Sequence, residues 1–240
     1  MKKSIFVGVI ILNVLACDGW AQGSTSAPVT QTAAISGTVV ADATGAKLSG
    51  AVVAVYRRAP QTPVYRSQTA ADVNGAFTLG SLPAGTYNIC AQVPGANYLD
   101  PCTWTTSPPS VAVTDGQTAS GNTIRLKAGG VLKVRVNDPG QSLAQRPNDP
   151  GPGHVFIGLT IPLGAPLAMP MTKNDSTGLE FQMVVPMDTS LTALAYSKEV
   201  AFQDPDQNAV PLGGSNRNVI VPSNGPATAT VTYTITGRRP

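Results

Sequence analysis

From residue 33 onwards the chain alternates short apolar runs with clusters of Gly, Pro, Asn and Asp, and no segment carries an apolar repeat of helical period. Ile35–Val40, Ala51–Tyr56, Val64–Thr69, Ala76–Leu79, Thr86–Val93, Val111–Thr114 and Asn122–Leu126 read as strands of an all-β sandwich, separated by turns such as 41–46 and 60–63. The pair Asn74-Gly75 predicts a tight hairpin turn, because both residues tolerate a positive φ. Further on, Val131–Val136 alternates apolar with polar. Thr228–Thr236 places Thr at every even position and an apolar residue at every odd one, so one face is wet and the other dry. Val155–Ile161, Leu179–Val185, Leu191–Tyr196 and Asn218–Val221 supply strands between them, and residues 137–153 are expected to form a long loop. The pattern predicts two sandwiches in tandem, 33–126 and 127–240, the second a candidate diverged copy of the first.

Composition narrows the class. The 240 residues include 24 Gly and 21 Pro but only 12% charged residues, which excludes a charged helical bundle or coiled coil. With 42% hydrophobic residues the chain can bury a core, and at roughly 100 to 150 residues per domain it has room for two small ones. A basic start, Met1-Lys2-Lys3, precedes an apolar run over Ile5–Ala16 that falls short of the roughly 20 residues a spanning helix needs. This predicts a signal peptide over 1–23, cleaved after Ala21 or Gly23, followed by a flexible linker over 24–32. Val14-Leu15-Ala16-Cys17 resembles a bacterial lipobox, so Cys17 is a candidate lipidation site and a lipid anchor the one membrane attachment expected. The expected location is the periplasm, the outer envelope or the medium. In such an oxidising compartment Cys90 and Cys102 form an even pair and are predicted to bond; two buried free thiols are the alternative.

The turn and strand residues of the first half carry a family resemblance. Ile35-Ser36-Gly37-Thr38-Val39, Gly50-Ala51-Val52-Val53, Thr69-Ala70-Ala71-Asp72-Val73-Asn74-Gly75-Ala76-Phe77 and Leu82-Pro83-Ala84-Gly85-Thr86-Tyr87, in that order, resemble the carboxypeptidase regulatory-like domain. The resemblance covers about 33–126. It implies a seven-stranded, prealbumin-like Greek-key sandwich that serves as an accessory, scaffold or binding module, and two Greek-key sandwiches if the second half follows suit. It does not imply peptidase activity, since the catalytic zinc unit of those carboxypeptidases is a separate domain. Phe77 and Tyr87, each beside a glycine turn, are expected in the core.

No catalytic set, cofactor or resident metal is expected. His154 is the sole histidine and has no nucleophile-elbow motif beside it; Glu180 and Glu199 are the sole glutamates and fall in ordinary strand settings. Asp204, Asp206 and Asn208 have the order of a calcium loop but lack its glycine and distant glutamate, which favours a plain turn. The net charge of +3 is scattered, which argues against nucleic acid as a partner. Tyr98 and Trp104, within and just outside the loop that Cys90 and Cys102 would close, are the candidate ligand-binding residues, because rings held by a disulfide suit stacking on sugars. The expectation is a non-catalytic, exported bacterial envelope protein acting as a binding or scaffold module for an envelope protein or a glycan. A carbohydrate-binding role for the 98–104 loop is the alternative, and a hydrolase the remote one.

Overall fold

The alternation along the chain becomes sixteen strands and one helical turn in the computed structural model, whose described residues are 32–57, 65–144, 154–161 and 166–239. The leader, Cys17, the linker up to residue 31, the 60–63 turn and residues 145–153 of the long loop lie outside them.

The first half holds β1 (Ala33–Ala41), β2 (Val52–Arg57), β3 (Tyr65–Ala70), β4 (Ala76–Leu82), β5 (Gly85–Gln92), β6 (Ser110–Val113) and β7 (Thr118–Leu126), with the helical turn α1 (Pro101–Trp104) after β5. They form two sheets, ordered β4-β1-β7 and β3-β2-β5-β6, with every pairing antiparallel except β1 with β7. Alternate residues enter the space between the sheets, where Ile35, Val53, Phe77, Leu79, Tyr87, Ile89 and Leu126 form one core. This is the seven-stranded sandwich expected.

Asn74-Gly75 does not make a hairpin between paired strands. β3 and β4 belong to different sheets, and the turn carries the chain across the core edge. Asp72 Oδ1 accepts from the backbone N–H groups of Asn74 and Ala76, both at 2.8 Å, and Val39 N–H donates to the Gly75 carbonyl. Gly75 has φ +70°, and a Cβ there would lie 2.7 Å from the Val39 carbonyl oxygen. Gly75 takes the positive φ and Asn74 does not; what the dipeptide connects is decided by the sheets.

The second half holds β8 (Gly130–Asn137), β9 (Phe156–Thr160), β10 (Pro166–Ala168), β11 (Met171–Asp175), β12 (Gly178–Val185), β13 (Leu191–Tyr196), β14 (Val200–Gln203), β15 (Ser215–Val219) and β16 (Thr228–Arg238). Its sheets are β10-β9-β13-β15 and β11-β12-β8-β16-β14. Without β11 and β14, which are edge strands, order and sense repeat the first half: β12-β8-β16 matches β4-β1-β7, including the parallel pair β8 with β16, and β10-β9-β13-β15 matches β3-β2-β5-β6. The turn before β12 is built alike, although it joins the paired strands β11 and β12 within one sheet. Asp175 Oδ1 accepts from Thr177 N–H at 2.8 Å, and Gly178, at φ +132°, leaves no room for a Cβ against the Val136 carbonyl.

Val231, Tyr233 and Ile235 of β16 enter the second core with Leu132, Val134, Ile157, Leu159, Phe181 and Phe202, as the Thr alternation requires. The outer face of the five-stranded sheet carries the ion pairs Lys133 with Glu180, Arg135 with Asp175 and Lys173 with Asp175.

Candidate functional site

The cysteine-closed loop is where the two halves meet. Cys90 sits on the outward side of β5, opposite Ala54, and is bonded to Cys102 of α1 with the Cα atoms 5.3 Å apart. Asp100 caps α1: its Oδ1 accepts from Cys102 N–H at 2.9 Å and its Oδ2 from the Gln92 side-chain amide at 3.0 Å, while Pro101 occupies the first helical position. Asp-Pro is a helix-start signal that a search for helical periodicity passes over, because the helix lasts a single turn.

The same loop grips the connection between β7 and β8. Leu99 N–H donates to the Lys127 carbonyl at 2.9 Å, Gly129 N–H to the Asn97 carbonyl at 2.8 Å, and Tyr98 bridges to Ala128. Tyr98 packs on the first core and Trp104 on the second. Both line a groove of about 270 Å³ whose other wall is Pro170 and Gln182 to Val184 of β12. Nothing local announces that wall, which lies some eighty residues further along the chain.

The remaining candidates are apart from this groove. His154 lines a cleft of about 650 Å³ at the end of the second half, with Asp138, Leu143, Asp175 and Phe181. Asp138, buried, accepts from the backbone of Ser142 and Leu143 at 2.8 Å each, and the buried Ser197 hydroxyl donates to the His154 carbonyl, not to its ring. Glu180 pairs with Lys133, and Glu199 lies within 3.4 Å of the Ser197 hydroxyl. Asp204 Oδ1 accepts from the backbone of Asp206 and Asn208, and Asp206 pairs with Arg217 at 2.6 Å, so the three residues form a closed Asx turn with a cation already on it. The Arg217 guanidinium holds the Asp206 carboxyl below the usual range. Among the described residues, the grouping of metal-ligand types close enough to share an ion is Cys90, Asp100 and Cys102, whose sulfurs are in the disulfide.

In the first sandwich Phe77 and Tyr87 are both buried, and the Tyr87 hydroxyl donates to the Pro83 carbonyl at 2.7 Å, pinning the Leu82-Pro83-Ala84-Gly85 turn to the strand it starts. Residues 34–127 match the carboxypeptidase regulatory-like domain. The regulatory-like domain thus takes in the disulfide, α1 and both aromatic candidates, and ends within the connection that the loop grips. No curated protein sequence matches the chain. Solved structures with a similar outline include the Bacillus anthracis TIE protein (13% identity, TM-score 0.34, covering 87% of this chain and 34% of that one). A streptococcal ancillary pilin (14%, 0.38, 88% and 64%) and a minor pilin of Streptococcus agalactiae (14%, 0.34, 88% and 97%) are others. The chain spans about a third of the first and under two thirds of the second. At these scores the activities of those proteins carry no weight for this one.

Proposed function

We propose that the protein is a non-catalytic, exported envelope module that works as a scaffold or binding unit, in which the disulfide-bonded turn serves as a strut between two sandwiches. The observation that carries this reading is the Cys90–Cys102 bond, which fixes a turn that touches both cores and the backbone between them. A disulfide suits an oxidising compartment, and a match to a regulatory-like domain suits an accessory role. Tyr98 and Trp104 are wedges in this reading, one for each core. The second half is a diverged copy of the regulatory-like domain with two edge strands added, a reading supported by the shared strand order and by the paired turns at Asp72 and Asp175.

Fractionation of cells producing the tagged full chain tests the proposal. The expected result is an envelope or medium pool whose Cys90 and Cys102 resist alkylation until reduced; a cytosolic pool with free thiols rejects it. Palmitate labelling of wild type and Cys17→Ser separates a lipid-anchored form from a fully secreted one. Co-purification from the envelope fraction then identifies the partner.

A further inference from the structure

In the second half, charge and aromatic rings are segregated between the two sheets. Ile157 and Leu159 of β9, Ala193 and Ala195 of β13 and Val219 of β15 enter the core, so Phe156, Thr192, Leu194, Tyr196, Asn216 and Asn218 face outward. None of the outward positions of this four-stranded sheet is Asp, Glu, Lys or Arg, whereas the opposite sheet carries three ion pairs on its outer face.

Phe156 and Tyr196 are direct cross-strand neighbours. Phe156 is 39% exposed, unusual for its size on a strand whose next residues are buried. Its ring lies over Gly158, where a Cβ would come within 2.8 Å of both Cε1 and Cζ. Glycine therefore lets the ring rest on the backbone with its other side toward water. In the first half the matching place, Ala54 opposite Cys90, is where α1 is bonded on; in the second, among the described residues, Gly158 opposite Leu194 has no such turn bonded over it.

We propose that this face binds a neutral polysaccharide. Phe156 and Tyr196 offer stacking surfaces to the C–H faces of sugar rings. The Asn216 and Asn218 amides and the Thr192 hydroxyl both donate and accept, as the sugar hydroxyls around such rings do. Thr192 and Asn218 lie 3.4 Å apart on adjacent strands, and with Asn216 they continue the same outward face along β13 and β15 away from the ring pair. A charged chain finds no counter-ion here, and a neutral one needs none. This site is separate from the strut of the preceding section and stands or falls without it.

The test is affinity electrophoresis of the mature protein in gels containing xylan, starch, laminarin or hydroxyethyl cellulose, with pectin as the anionic control. At least one neutral polymer is expected to retard it, with no loss in molar sodium chloride. The Phe156→Ala, Tyr196→Ala double variant should bind about tenfold more weakly or worse, as the loss of aromatic anchors does elsewhere, with its strand content unchanged by circular dichroism. Trp104→Ala should keep binding. Lack of retardation by every neutral polymer, equal retardation of the double variant, or binding to pectin alone overturns the proposal. So does light scattering that shows a wild-type dimer broken by the double variant, since the face would then belong to a second copy.

Discussion

Asp175 holds Lys173, Arg135 and both donors of Thr177 at once, and its chemistry shows how a surface carboxylate shapes the response to acid. Lys173 Nζ lies 2.6 Å from its Oδ2, and the Thr177 hydroxyl and N–H donate to Oδ1. These bonds, Lys173 first, hold its carboxyl well below the usual range; Asp188 is lowered by Ser223, and Asp206 by Arg217. A carboxyl whose folded pKa lies below its unfolded value of 3.8 stabilises the fold above that pH, and the contribution is lost as pH falls through the folded pKa. The urea midpoint should therefore drop below about pH 4, by a modest amount because Asp188 and Asp206 are exposed, Asp175 is partly so, and solvent screens all three. Lys173→Met should flatten part of that drop, and an identical acid profile in the variant would refute the assignment. In the core, Phe77 is 4% exposed between two sheets. Phe77→Ala should cost about 3 to 5 kcal/mol in denaturant unfolding, because a large cavity opens where neither sheet can collapse.

The disulfide turn is the element on which most depends. It closes a loop of twelve residues' separation, for which the chain-entropy estimate is about 3 kcal/mol. The Cys90→Ser, Cys102→Ser double variant should lose about that much and should also expose Trp104, read as a red shift of tryptophan emission with the sandwich strands intact by circular dichroism. An unshifted spectrum would show that Trp104 is held by the second core without the bond. Parity was enough to foresee the pairing of Cys90 with Cys102, since they are the two cysteines beyond the segment expected to be a leader. Most strands were legible because each carries an alternating or apolar run next to a turn. β10, β11 and β14 were not: β11 is Met171-Thr172-Lys173-Asn174-Asp175, a polar edge strand with one face in water and little to bury. The groove beside Trp104 escaped for a different reason, since its far wall is β12, brought there by tertiary packing that no local pattern encodes. Phe156 and Tyr196 carried no motif either; only the pairing of β9 with β13 makes them neighbours.

At the scale of the whole molecule, each half begins with a strand that runs parallel to its last. Ala34 to Ala41 of β1 lie beside Thr118 to Leu126 of β7, and Val131 to Asn137 of β8 beside Thr228 to Thr234 of β16. Because the pairs are parallel, the chain enters each sandwich at one end of the ladder and leaves at the other. Tension applied through the ends of the chain would pull these strands past each other, loading their hydrogen bonds together as shear instead of opening them one at a time. Single-molecule pulling through residues 33 and 238 should accordingly show a high, brittle rupture for each half, and pulling a sandwich apart across one of its antiparallel pairs a lower one. Similar forces in the two geometries would count against the load path through β1, β7, β8 and β16. A protein built this way can stand in line between an anchor and a partner and transmit force without unravelling, whatever it holds at its outer faces.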